Sequence, residues 1–315
     1  MGRKITIIGA GSVGATIAYA LSFTDIASEI VLLDINKEKV EGEVMDINQG
    51  TAFRAPISFV AGEYEDAKGS DIVIITSGIA RKPGQTRIEL TQTNVEILKS
   101  ITPNIVKVCP DALYIMVSNP VDIMTYVFTK ISGIPEKQII GSGTLLDTAR
   151  LRCGMSKHFD VAQNNIHAYV FGEHGDTSFI PWSAAYISGV SLEEYEKLMK
   201  EKVAGFPDFN KDDIYTYVRT SGGEIINKKG ATYYAVSTSV CNLCSILCAS
   251  NDSITTVSTM MHGEYGIEDV CLSTLTLLGP NGAQGKVPMR LTDEEVAKLK
   301  HSADSLKNVI SQIKL

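Results

Sequence analysis

The sequence predicts an α/β fold: a Rossmann-type doubly wound parallel sheet followed by an α+β substrate domain. Three observations predict it. Short runs rich in Ile and Val, at 5–8, 30–33, 72–75 and 114–117, alternate with helix-forming stretches at 12–22, 37–49 and 89–108. Runs of this kind suit parallel strands buried on both faces. The first run feeds directly into Gly9-Ala10-Gly11-Ser12-Val13-Gly14, a glycine turn that opens a helix. After about residue 141 the alternation stops and helices mix with strands. At 315 residues the chain exceeds what one hydrophobic core usually serves. The expected division is 1–142 for a dinucleotide-binding domain and 143–315 for a substrate domain.

Each glycine of the first turn has a mechanical reason. Gly9 makes the tight turn, Gly11 lets a pyrophosphate approach the backbone, and Gly14 lets the helix pack on the strand. The helix that begins at Ser12 and Val13 then offers free N–H groups and a positive dipole end. Asp34 closes the second run, Ile30-Val31-Leu32-Leu33, 20 residues after Gly14. A carboxylate there accepts both adenosine ribose hydroxyls and repels a 2′-phosphate, which favours NAD over NADP. The competing reading is that Asp34 only caps a helix starting at Asn36.

In the second half the patterns predict helices near 145–155, 211–227 and 232–249, and strands near 166–171 and 253–261. The last helix, 292–313, opens with a capping box in which Thr292 precedes Glu295 by three residues. Of the six cysteines, Cys241, Cys244 and Cys248 recur at helical spacing. They read as one buried face of an apolar helix. A metal or redox reading lacks a nearby His or carboxylate to complete a ligand set.

Composition excludes several classes. A net charge of −7 argues against nucleic acid as a main partner, because phosphate binding needs clustered cations. Residues 1–4 are basic and 5–23 are uncharged, a pattern shared with signal peptides and membrane spans. Read as strand, glycine turn and helix, the same residues need no membrane. Gly2 with Thr6 fits a loose myristoylation pattern, but a strand from Lys4 leaves no free arm. The expected compartment is the reducing cytoplasm.

Four segments carry polar groups that a fold alone does not need. They are 76–87 (TSGIARKPGQTR), 117–120 (VSNP), 147–150 (DTAR) and 172–176 (GEHGD). The first two follow strands, so they open at the carboxyl edge of the sheet, where ligands bind. One histidine, a carboxylate and several arginines are what reduction of a 2-keto acid requires. The competing readings are an ordinary helix-surface ion pair for Asp147 and Arg150, and a satisfied core histidine for His174.

With these motifs, and with GSGTLLDTAR and KGATYY in the same order, the chain resembles the L-lactate and L-malate dehydrogenase family over nearly its whole length. SNPVDIMTYV and GEHGDTSFIPWS are more similar to the lactate branch. The resemblance implies NAD as cofactor and a hydride transfer to or from a small 2-keto or 2-hydroxy acid. It implies that His174 is the acid/base and that Asp147 holds its imidazole. Arg150 would clamp the substrate carboxylate with a two-pronged bond that lysine cannot make. Arg87 would polarise the C2 carbonyl, Asn119 would bond near the substrate oxygen and the nicotinamide ribose, and Thr232 would line the pocket.

Arg81 departs from the lactate pattern, which has glutamine before Lys-Pro-Gly. The malate branch has arginine there, facing a second carboxylate. Over a methyl group such a cation would be desolvated without a partner. Thr232 pulls the other way, since malate enzymes usually carry a smaller residue. Malate dehydrogenase activity is therefore the alternative to lactate dehydrogenase activity. A non-catalytic NAD(H) sensor is a third reading, against which stands the intact set of His174, Asp147, Arg150 and Arg87. The resemblance also implies a homo-oligomer, commonly a tetramer, and a fructose 1,6-bisphosphate effector site at Arg152 and His167 across a two-fold axis.

Overall fold

The computed structural model describes residues 2–54, 56–79, 84 and 86–315. The first half runs β1 (Lys4–Ile8), α1 (Ser12–Leu21), β2 (Glu29–Leu33), α2 (Lys37–Gly50), β3 (Ser58–Ala61), β4 (Ile72–Ile75), α3 (Arg87–Val108), β5 (Leu113–Met116), α4 (Val121–Ile131) and β6 (Ile139–Gly141). The second half runs α5 (Leu145–Phe159), β7 (Ile166–His167), β8 (Tyr186–Ile187), β9 (Val190–Ser191), α6 (Leu192–Lys202), α7 (Lys211–Lys229), α8 (Tyr234–Cys248), β10 (Ser253–His262), β11 (Glu268–Gly279), β12 (Gly282–Lys286) and α9 (Asp293–Ile310).

Six parallel strands lie in the order β3-β2-β1-β4-β5-β6. The order reverses at β1, which creates the crevice at the carboxyl ends of β1 and β4. Alternate residues of β4 face opposite cores. Ile72 and Ile74 pack with α1, α2 and α8, and Val73 and Ile75 pack with α3, α4 and α9. That is why these strands read as continuous apolar runs. A third cluster joins Leu151, Met155 and Phe159 of α5 to Val218 of α7 and Ile187 of β8.

The second half is less separate than its sequence pattern implies. β10, β11 and β12, each antiparallel to the next, extend the sheet of the first half, β10 pairing antiparallel to β6 with Ser258 opposite Gly141. The strand expected over 166–171 is only Ile166–His167, because Phe171 and Gly172 turn away to bridge Phe179 and Ser273. The helix expected from 232 starts at Tyr234, leaving Thr232 in the preceding loop. The helix expected from 89 starts at Arg87, where Thr86 and Glu89 form a capping box. Cys241 and Cys244 are core residues against Ile17 and Leu21. No helix among the described residues is long and apolar enough to cross a membrane.

Candidate active site

The dinucleotide wall is made of backbone. Gly9 takes φ +110°, and a Cβ on Gly14 would lie 1.8 Å from the Gly9 carbonyl oxygen, so the turn excludes side chains at both positions. Thr76 braces the turn, its hydroxyl donating to the carbonyls of Ile8 and Gly9 at 3.2 and 3.0 Å. Gly11 is the N-cap of α1 and makes no side-chain capping bond. A Cβ on Gly11 would meet nothing within 4 Å, so the N-terminus of α1, with Ser12 and Val13 at its head, faces open space. This cradle fits a pyrophosphate.

Asp34 ties the end of β2 to the glycine turn. Its Oδ2 accepts the Ala10 amide at 2.7 Å and its Oδ1 the Asn36 amide at 3.0 Å. The cap of α2 is Asn36, which accepts from the Lys39 amide at 3.1 Å. Asp34 is thus not the helix cap, and each of its oxygens keeps a second acceptor position for a ribose hydroxyl.

The candidate substrate wall is made of partly or fully buried side chains. Asp147 and Arg150 sit on the first turns of α5, and Arg150 Nη1 donates to Asp147 Oδ1 at 2.8 Å. The second oxygen, Oδ2, lies 2.5 Å from His174 Nδ1. Side-chain exposures of 9% for Asp147, 13% for Arg150 and 28% for His174 remove the surface ion-pair reading. The Asp147 carboxylate beside it pushes the His174 imidazole up to about 9, against burial. For Asp147, burial favours the neutral form, but His174 and Arg150 outweigh it and hold the carboxyl below its ordinary range.

His174 stands on a loop fixed from behind. Its amide donates to Asp122 Oδ2 at 2.7 Å, and the Glu173 amide donates to the Ser302 hydroxyl at 2.8 Å. Asp122, from the first turn of α4, is 3% exposed, and its Oδ1 is buried with no hydrogen-bond partner among the described residues. Burial pushes this carboxyl up to about 6, against the pull of the His174 amide.

Two cavities meet here. One of about 290 Å³ runs from Val13 and Thr76 past Ser118, and one of about 610 Å³ runs from Asp147 along α7. Asn119, Arg150, His174 and Thr232 line both. Arg87 lines neither; its Nη2 donates to Glu173 at 2.8 Å, and the Glu173 side chain is 1% exposed. Arg81 lies outside the described residues. Elsewhere, Arg152 Nε donates to the Ala168 carbonyl at 3.3 Å, and His167 lines a separate cavity of about 770 Å³ that also includes Arg290.

Sequence reasoning missed Asp122, Glu173 and Asn94. Asn94 is 1% exposed and donates to the Asn119 carbonyl at 2.8 Å while accepting from the Ile79 amide at 2.9 Å. Each had a signal: Asp122 is the one acid in the apolar run of α4, Glu173 stands beside His174, and Asn94 falls on the inward face of α3.

A phosphate cradle and a histidine–carboxylate–arginine set built on a buried carboxylate, sharing one junction, define a class of protein, an NAD-dependent oxidoreductase. Residues 3–141 match the lactate/malate dehydrogenase NAD-binding domain, and residues 144–315 match the α/β carboxyl-terminal domain of the same family. The chain belongs to the lactate/malate dehydrogenase family. It is 45% identical over 311 residues to an L-lactate dehydrogenase of Acetivibrio thermocellus, covering 99% of this chain and 97% of that one. It is 45% identical over 310 residues to L-lactate dehydrogenase 1 of Clostridium acetobutylicum, covering 98% of each. Among solved structures, a lactate dehydrogenase from a Medee basin deep-sea metagenome library superposes with a TM-score of 0.93 at 36% identity over 99% of both chains. The minor L-lactate dehydrogenase of Enterococcus mundtii, in its ligand-bound form, superposes with a TM-score of 0.93 at 33% identity, covering 100% of this chain and 99% of that one.

Proposed function

We propose that this chain is a cytoplasmic L-lactate dehydrogenase that interconverts pyruvate and L-lactate with NAD(H). The observation that carries the reading is His174, paired with Asp147 and next to Arg150, where the two cavities meet. The relatives named L-lactate dehydrogenase support the choice of substrate. When bound, NADH supplies the hydride. Arg150 holds the substrate carboxylate, and Asn119 and Thr232 line the space around its C2 oxygen. His174, kept protonated by Asp147, gives that oxygen its proton, and Asp147 stabilises the imidazolium until then. Arg87 stabilises charge developing on the oxygen, for which it must leave Glu173 or bridge from it. Asp34 binds the adenosine ribose.

Malate dehydrogenase activity is the second reading, and the sequence feature that favours it is Arg81. The test is kcat/KM for pyruvate and for oxaloacetate in the wild type and in Arg81→Gln. A pyruvate preference that survives Arg81→Gln supports the lactate reading. An oxaloacetate preference that collapses in the variant supports the malate reading. NADH binding without turnover of either acid would leave only the sensor.

The assembly we propose is a homotetramer with a fructose 1,6-bisphosphate site at Arg152 and His167 near a two-fold axis. In its support, Arg152 bonds the carbonyl of the residue after His167, and His167 and Arg290 line one cavity. Titration of activity with the bisphosphate at subsaturating pyruvate decides it. A flat response, unchanged in Arg152→Gln, sinks the effector site.

A further inference from the structure

The chemistry above leaves a buried carboxylate unused beside His174. The Glu173 side chain is 1% exposed, and an ion in that setting needs partners. It has two among the described residues. Oε1 accepts the Thr177 amide at 3.2 Å, and Oε2 accepts Arg87 Nη2 at 2.8 Å. The loop is shaped around this carboxylate. A Cβ on Gly175 would stand 3.0 Å from Glu173 Cδ, so the residue after His174 is kept small. From behind, the Ser302 hydroxyl of α9 accepts from the Glu173 amide at 2.8 Å and from the Thr177 hydroxyl at 2.9 Å. Arg87 is anchored at its own end. It opens α3 within the capping box of Thr86 and Glu89, and the Thr91 hydroxyl donates to its carbonyl at 2.8 Å.

Two courses are open to Arg87 while charge develops on the C2 oxygen. It could swing to the substrate and let go of Glu173. Oε2 would then keep no partner among the described residues, and stripping the cation from a buried carboxylate is strongly unfavourable. That cost would recur in every turnover. The guanidinium offers a second course, because it carries five N–H donors in a planar fork. Only Nη2 is engaged among the described residues, and the Arg87 side chain is 41% exposed. One edge of the fork can stay on Glu173 while another meets the substrate.

We propose that Glu173 is a positioning residue: it keeps hold of one nitrogen of Arg87 throughout the reaction and turns the free edge of the guanidinium to the C2 oxygen of the substrate. The proposal rests on the dehydrogenase reading above. The chemistry is unchanged, since Glu173 touches neither substrate nor cofactor and moves no proton.

The test is kcat of the full chain with NADH and pyruvate, in the wild type, Glu173→Gln, Arg87→Gln and the double variant. Glu173→Gln keeps the shape of the side chain and takes away its charge. It should lower kcat by about tenfold or more in the wild-type background, and by less than about threefold in the Arg87→Gln background, where no guanidinium remains to be aimed. A residue that only supported the loop would lower kcat by the same factor in both backgrounds, and that result overturns the proposal. An unchanged kcat in Glu173→Gln overturns it as well, and so does a rise, which would make the pair a resting latch. Arg87→Lys keeps the question open to test if Glu173→Gln does not fold. Its single nitrogen can pair with Glu173 but has no second edge to offer, so kcat should fall by about tenfold or more. Near wild-type kcat in Arg87→Lys overturns the proposal. Each of these results leaves the dehydrogenase reading standing. Failure of the wild type to reduce pyruvate or oxaloacetate while NADH still binds removes both.

Discussion

On the proposed reading, the chain meets its cofactor with amide groups at the glycine turn between β1 and α1. At the start of α5 and in the Gly172–Gly175 loop it would meet its substrate with charged side chains. The amides need only the turn and the helix to be in place, and Gly9 and Gly14 secure that by excluding side chains. The charges need one another. Asp147 satisfies both His174 and Arg150; removing either cation leaves a buried carboxylate short of a partner, and removing Asp147 leaves two partly buried cations side by side. The cofactor wall should therefore yield gradually to substitution and the substrate wall abruptly.

The sharpest break should come at His174. His174→Asn should lower kcat by ~10³-fold or more, because the proton donor is lost, while the Kd for NADH measured by fluorescence stays within about threefold. Near wild-type kcat in that variant would overturn the mechanism. Arg87→Gln should lower kcat by ~10²-fold with little change in NADH affinity.

On the cofactor wall the effect is smaller. Asp34→Asn should reduce the preference for NADH over NADPH by ~10–10²-fold, since one repulsion and part of the ribose bonding go. The KM for pyruvate should hardly move. An unchanged preference would take Asp34 out of cofactor selection.

The proton count adds a pH signature. His174 with its pKa raised to about 9 is protonated below that pH and neutral above it. Pyruvate reduction should hold through neutral pH and fall above about 9, and lactate oxidation should rise towards the same pH. In Asp147→Asn the falling limb should move down towards the ordinary imidazole range. A limb that stays in place would mean that Asp147 does not set it.

The smallest effect concerns Asp122. Its carboxyl is raised to about 6 in the fold, above its unfolded value, so ionisation at neutral pH opposes folding and the opposition disappears as pH falls below about 4. Asp122→Asn keeps an oxygen for the His174 amide and should raise Tm by a few degrees at pH 7.5 but not at pH 4. An equal shift at both pH values would rule out ionisation as the cause.

How much of this was legible in the sequence follows from the same contrast. β1, β2 and β4 and the glycine turn were readable because double burial writes continuous apolar runs and a turn fixes glycine spacing. β3 is an edge strand with Ser58 and Ala61 exposed, and β6 has only three residues, so neither writes a continuous apolar run. α4 was not read as a helix because Val121 to Phe128 are all buried, and a short apolar run of this kind suits a buried strand as well as a helix. Candidate site residues, and the pairing of His174 with Asp147, came from the resemblance carried by motif order; by themselves two residues 27 positions apart give no sign of a pair until α5 lies against the loop. Asp122 stood out as a lone acid in an apolar run, but its role did not: it acts on a backbone amide, which has no letter of its own.

One junction has a mechanical meaning. The two family models meet between residues 141 and 144, yet β10 hydrogen-bonds to β6 and α8 seals the apolar flank of α1 with Val240, Cys241 and Cys244. Ser237 donates to the Val13 carbonyl at 3.2 Å and Arg3 to the Cys248 carbonyl at 2.7 Å. A fragment cut at the boundary would leave the amino-terminal half with a bare sheet edge and an oily helix face, both invitations to self-association. The boundary between the two family models is thus not a boundary of packing: α8, from the second, is built into the wall of the first.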